Sequence, residues 1–282
     1  MVSNDAFRNA FLLSRLRNVP KAALSALEHL DKLAFLRGIE RIEFAFPYPY
    51  GKVAQLNEQV GRKVDEMTAK YKTTVHLPMA PLHTEDGAME VIAGLEYGLE
   101  HGTIQFVIHP AEVQRNRFWR KSTAFNFAKA KDIGLANLEN ILGDFKNQNI
   151  IIGIENLAGL VPYGKHPNDF DYLFGKRGQL TVGWCLDLCH LYNVLSAYGD
   201  YASTKLSIAA LIDEYSQKDQ LVEVHLTDTK ITDGPDKHCA LGFGNAPIDS
   251  ILRKLHSFNG PVVAEVNLKD FEDSWNWLHM DR

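Results

Sequence analysis

The chain has 282 residues, 30 Lys and Arg against 35 Asp and Glu, a net charge of -5 and 45% hydrophobic residues. These ordinary globular proportions exclude a disordered, collagen-like or low-complexity polymer, and the length suffices to bury a sizeable core. A pI near 6.1 speaks against a globally basic nucleic-acid binder but leaves room for a local basic patch.

The predicted elements alternate along the chain. A short strand near 10–16 precedes a helix over 19–37, where Ala23, Leu27, Leu30, Leu33 and Leu36 recur at helical spacing. Strand 41–46 (RIEFAF), helix 53–71, strand 73–77 (TTVHL) and helix 89–101 follow, then strand 104–109 (IQFVIH), helix 128–146 and strand 150–155 (IIIGIE). The rest reads as strand 180–186 (LTVGWCL), helix 204–217, strand 221–226 (LVEVHL), helix 248–258, strand 261–266 (PVVAEV) and helix 271–279. Such alternation predicts parallel βαβ units, and eight of them predict one (β/α)8 TIM-barrel domain over 1–282. The doubly wound alternative lacks a G-x-G-x-x-G turn after the first strands. No 18-residue apolar run predicts a membrane span, and Phe11-Leu12-Leu13, cut short by Ser14-Arg15, is too brief for a signal-peptide core. Cys185, Cys189 and Cys239 make no disulfide framework. A reducing, cytoplasmic setting is expected, with no membrane and no protein partner.

Eleven His are the unusual count. In a TIM barrel functional groups sit at the C-terminal strand ends and the loops beyond them. Here the third strand ends at His76, the fourth at His109 and the fifth at Glu155; the sixth runs into Asp187 and His190. The seventh carries His225, its loop Asp236 and His238, and the eighth Glu265. Singly, each has a plainer explanation: a strand-end His packs in the core, Glu155 or Glu265 caps a helix, Asp187-x-x-His190 is an N-cap with a polar neighbour. Together, carboxylates and imidazoles at one barrel mouth need cations to balance them, and mixed His/carboxylate donors suit Zn, Mn or Fe. His29, His101, His256 and His279 fall on helices as surface or packing residues. His83 and His166 are loop residues left between second-layer or substrate contact and no role. Cys185 and Cys189 are read as core.

These strand ends resemble the endonuclease IV and xylose-isomerase-like TIM-barrel superfamily (AP endonuclease family 2). The likeness, from about residue 40 onward, is carried by VHLP at 75–78, IHP at 108–110, IEN at 154–156 and CLDLCH at 185–190, then HLTDTK at 225–230, DKH at 236–238 with LGFGN at 241–245, and EVN at 265–267. By this resemblance His76 and His109 hold one metal, with Glu155 bridging to a second completed by Asp187, His225 and Glu265, while His190, Asp236 and His238 hold a third. Zinc, up to three ions, is implied, with Mn, Co or Fe as alternatives. The implied activity is metal-dependent phosphodiester hydrolysis on abasic-site DNA, as in DNA repair, or on a related phosphorylated substrate, with Glu155 beside the nucleophile. The smaller set Glu155, Asp187, His225 and Glu265 equally suits a one-metal sugar or sugar-phosphate isomerase or epimerase, with Glu155 and Glu265 as the proton-transfer pair. A non-catalytic metal-binding barrel is the third reading. Substrate contacts are expected from Tyr48 and Tyr50, in the loop FPYPYGK that replaces a polar Asn/Gln/Arg-rich segment of endonuclease IV, and from Lys230. The loop 114–121 (QRNRFWRK) offers Arg115, Arg117 and Trp119 for phosphate contact and stacking, or is simply the start of a helix.

Overall fold

The computed structural model describes residues 13–15, 20–45, 58–111, 127–158, 161, 163–230, 238–266 and 268–279. Its strands are β1 (Leu13–Arg15), β2 (Arg41–Ala45), β3 (Lys72–His76), β4 (Gln105–Ile108), β5 (Ile151–Glu155), β6 (Gly175–Arg177), β7 (Leu180–Asp187), β8 (Leu221–His225), β9 (Asp228–Thr229), β10 (His238–Cys239) and β11 (Val262–Val263). The helices are α1 (Pro20–Arg37), α2 (Glu58–Lys70), α3 (Glu85–Glu100), α4 (Phe127–Asp144), α5 (Leu188–Ser196), α6 (Tyr201–Gln217), α7 (Ile248–Lys254) and α8 (Leu268–Leu278). Eight strands run parallel in the order β1-β2-β3-β4-β5-β7-β8-β11. β6 adds antiparallel to β7, and β9 pairs antiparallel with β10.

The sheet rolls into a barrel. Five strand steps separate β2 from β8, about 24 Å in a flat sheet. Yet Glu43 of β2 meets His225 of β8 at 3.2 Å, and Gln105 of β4 meets Glu223 of β8 at 2.8 Å. The helical layer closes across the same seam: Arg37 of α1 pairs with Glu272 of α8 at 2.5 Å and lies over the Trp275 ring. Helices cover the outer face, so β4 and β5 are buried nearly end to end, which is why they read as continuous apolar runs. Trp184, Phe44, Phe106, Ile152, Ile154 and Leu186 are among the buried residues of the main core.

The predicted strands and helices match these elements with small shifts. α3 starts four residues earlier than its apolar spacing suggests, because Thr84 caps it, its side chain accepting the Gly87 N–H. β11 keeps only two residues of the expected 261–266. α5 was not expected: it is only nine residues long, continues directly from β7, and buries its first five residues. The register between β7 and β8 shifts at Trp184/Cys185, where Gly183 is obligatory because a Cβ would overlap Val222 Cγ1 and the Gln220 carbonyl. Such irregularities re-aim strand-end side chains. No helix among the described residues is long and apolar enough to cross a membrane.

Candidate metal centre

The strand registers set Glu155 beside Cys185 and Asp187 beside His225 at one end of the sheet. Glu155, with no solvent exposure, is the hub. Its Oε2 lies 3.0 Å from His76 Nε2, 3.1 Å from His109 Nε2 and 3.5 Å from His225 Nδ1, and its Oε1 lies 3.3 Å from His190 Nδ1. Glu265 Oε2 is 3.6 Å from His225 Nδ1 and 3.5 Å from His238 Nδ1. The His190 and His238 rings lie 5.3 Å apart. At 21% and 13% exposure, the side chains of His238 and Glu265 are the most open of the eight described donors and mark the mouth.

Asp187 shows how one residue serves two ends. One oxygen caps α5, accepting the His190 N–H at 2.6 Å. The other, buried and without a hydrogen-bond partner, points into the cluster. The N-cap is therefore realised, and it leaves the second oxygen available to the cluster, so the two readings of the sequence are compatible. Asn156 locks this corner: its Oδ1 accepts from Trp184 Nε1 and the Asp187 N–H, its Nδ2 donates to the Asp187 carbonyl, and its backbone carbonyl accepts from His190 Nδ1.

Donor atoms fall within 4.8 Å of one another in overlapping groups: His76, His109 and Glu155, then Glu155, Asp187, His225 and Glu265. In the second group Glu155 Oε1, Asp187 Oδ2, His225 Nδ1 and Glu265 Oε2 are buried without hydrogen-bond partners. Converging lone pairs of that kind are costly unless a cation satisfies them. Two of the imidazoles, His76 and His225, are oriented as ligating histidines are, one nitrogen anchored and the other turned inward. His76 Nδ1–H donates to the Leu77 carbonyl and His225 Nε2–H to Glu43 Oε2. The donor set therefore fits divalent metal.

Burial alone would raise the Glu155 carboxyl, but the facing His109 and His225 hold it well below the usual carboxylate range. Burial pushes Asp187 up to about 6 despite His190 and His238. For His238 burial acts downward, and Glu265, Cys189 and Asp187 overcome it, raising the ring to about 10. Burial acts downward on His225 as well, and Cys185, Glu43 and Glu155 beside it hold the ring well above the usual imidazole range. A metal must displace all of these protons, so affinity is expected to tighten by at least about tenfold per pH unit between about pH 6 and 9, and more steeply below about 6, where Asp187 is also protonated. Chelator competition at several pH values checks this; a flat profile contradicts it.

Eight of the nine expected donors thus converge. Asp236 lies outside the described residues, as do Tyr48, Tyr50, Arg115, Arg117 and Trp119. Lys230 is exposed just after β9. For the third expected group, the described residues associate His238 with Asp187 and Cys189. Cys185 and Cys189 are buried as expected of core residues, yet both thiols reach the cluster, Cys185 beside Glu155 and His225. His166 turns out to be a cap: its Nδ1 accepts the Asn168 N–H at the head of a 3-10 turn, Pro167–Asp169. His101 bonds Asp65, and His279 stacks on Trp275, both in the outer helical layer as expected. Sequence reasoning missed Glu43 and Glu223, fully buried beneath His225, and the bracing role of Asn156. No signal in the sequence separates the two glutamates from solvent-facing residues of alternating strands.

Among known proteins, a probable endonuclease 4 of Mycoplasmopsis synoviae (strain 53) is 27% identical over 157 residues, 52% of this chain and 53% of its own length. The chain thus matches about half the length of that curated relative. The fold is similar to the crystal structure of a 3-keto-D-glucoside 4-epimerase from E. coli, at 15% identity and TM-score 0.60 over 95% of this chain and 98% of that one. It is equally similar to a probable 3-DHS dehydratase from Bacillus anthracis, at 12% identity and TM-score 0.61 over 97% and 100%. The model of one family matches residues 37–279, the span that carries every described donor of the cluster, and the chain belongs to that family, the xylose isomerase-like TIM barrels.

Proposed function

We propose that the chain is a metal-dependent phosphodiester hydrolase of the endonuclease IV type, loaded with zinc and acting on abasic-site DNA or a related phosphorylated substrate. The observation that carries this reading is that Glu155 belongs to two donor groups at once, one with His76 and His109 and one with Asp187, His225 and Glu265. A carboxylate shared in this way suits a bridged cluster, whereas a one-metal isomerase has no use for the two additional imidazoles. The partial likeness to a probable endonuclease 4 supports the same choice. Clustered divalent ions neutralise phosphate oxygens and make water nucleophilic near neutral pH. The protein's own part is to hold Glu155 ionised between the donor groups, to fix the His76 and His225 imidazoles by their second nitrogens, and to leave His238 and Glu265 facing the mouth. Lys230, Tyr48, Tyr50, Arg115, Arg117 and Trp119 are assigned to substrate, and Asp236 to the third metal with His190 and His238.

A sugar isomerase or epimerase is the second reading, favoured by the four-donor set Glu155, Asp187, His225 and Glu265 being complete by itself. Metal-replete protein incubated with an abasic-site duplex, with elemental analysis of the same sample, separates the readings. Strand cleavage with about three zinc ions per chain supports the hydrolase; a single exchangeable manganese or cobalt with sugar turnover supports the isomerase. Metal uptake without turnover of either substrate class supports a binding barrel. His238→Ala is expected to remove one metal ion and to lower phosphodiesterase activity by about 10²-fold or more; unchanged metal content refutes a third ion.

A further inference from the structure

Beneath the metal cluster the barrel interior holds a polar stack where branched apolar residues usually fill it. Glu223 and His225 alternate onto one face of β8, and Glu43 meets them from β2, the donor atoms of all three lying within 4.8 Å. None of the three is exposed to solvent. Gln105 of β4 donates to Glu223 Oε2 at 2.8 Å and to the Val222 carbonyl at 3.2 Å, and its own carbonyl oxygen accepts from Arg41 at 3.1 Å. The stack thus runs from a guanidinium at the N-terminal end of β2 to the imidazole at the C-terminal end of β8.

Two buried carboxylates are a poor way to hold a barrel together, since apolar residues of similar volume commonly serve stability as well or better. Their geometry gives them another use. His225 Nε2–H donates to Glu43 Oε2 at 3.2 Å, which turns Nδ1 toward Glu155 and Glu265 at 3.5 and 3.6 Å. We infer that Glu43 is a positioning residue for the metal centre, which fixes the His225 ring so that Nδ1 faces the donor cluster, with Glu223 and its Gln105 clamp set behind it. This role rests on the metal reading above, and its test keeps the two apart.

The variants are Glu43→Met, which keeps the side-chain length without a strong acceptor, and Glu43→Gln, which keeps a carbonyl acceptor. In metal-free, 15N-labelled protein the His225 Nε2–H resonance is expected to exchange slowly in the wild type and in Glu43→Gln, and to vanish in Glu43→Met. Zinc affinity, from chelator competition, is expected to fall about 10–100-fold in Glu43→Met and to recover in Glu43→Gln. The thermal midpoint of the metal-free Glu43→Met protein is expected to fall, since the buried His225 Nε2–H loses its acceptor, and to be largely restored in Glu43→Gln, so the zinc affinities are compared at temperatures where all three proteins are folded. A Glu43→Met protein with the resonance or with wild-type zinc affinity overturns the positioning role, as does a wild type without the resonance, which needs no variant to fold. If even the wild type takes up no zinc, the metal reading fails by itself, and the ring resonance still decides whether Glu43 orients His225.

Discussion

Glu155→Gln is expected to lower kcat by at least about 10³-fold, beyond the 10–100-fold typical of residues that only support a ligand. The substitution keeps the side-chain shape but replaces one acceptor oxygen by an amide that donates. Glu155 Oε2 faces His76, His109 and His225, and Oε1 faces His190, and an amide nitrogen, which has no lone pair to offer a cation, leaves one of these two sides without a donor oxygen. Metal content is expected to fall together with the rate, and a fully active, fully loaded variant sinks the bridging role. In the metal-free protein the same residue has an acid signature. Its folded carboxyl sits below the unfolded value, so its stabilising contribution is present above about pH 4.3 and is lost as pH falls through the folded value. Acid titration of the variant should lack that component.

Asn156→Ala is expected to cost about 3–5 kcal/mol of folding stability, read from urea denaturation of the metal-free protein. The amide side chain serves three buried partners: the Trp184 indole N–H at 2.9 Å, the Asp187 N–H at 3.0 Å and the Asp187 carbonyl at 2.9 Å. Truncation strands all three, at about 1–3 kcal/mol for each that finds no substitute. Total stabilities of about 5–15 kcal/mol make this a large fraction. The damage also reaches the metal cluster, because Asp187 caps α5 and so sets where His190 stands. A loss under about 1 kcal/mol would show that water replaces the amide, and that the corner does not depend on it.

The barrel was legible because its strands are buried on both faces and its helices are amphipathic, two patterns with different periods. The donor set was legible because a polar residue ending an apolar strand stands out: His76, His109, Glu155, His225 and Glu265 could all be found that way. Where those contrasts fade, so did the reading. α5 is short and runs on directly from the apolar end of β7, so no break in the sequence marks its start. β6, β9 and β10 are too short for any periodicity to develop. Glu43 and Glu223 alternate with apolar neighbours just as solvent-facing strand residues do, and only closure of the barrel shows that their face is the inside. Asn156 sits in a motif that was recognised, but its three partnerships depend on how β5 lies beside β7, which spacing alone does not reveal.

The reach of Glu155 across the chain has a consequence for the order of folding. Its contacts with His76 and His109 span 79 and 46 residues, and further partners come from α5 and β8. Only the His109 pairing lies within one βαβ unit, β4-α4-β5; the others cross several elements, so loop-closure entropy must be met before they are rewarded. Half-built barrels present scattered imidazoles and carboxylates, each with the modest metal affinity of an isolated side chain. Tight metal capture by the proposed cluster would therefore arrive late, as a signal that the ring of strands has closed, and would stabilise only chains that have already reached that state.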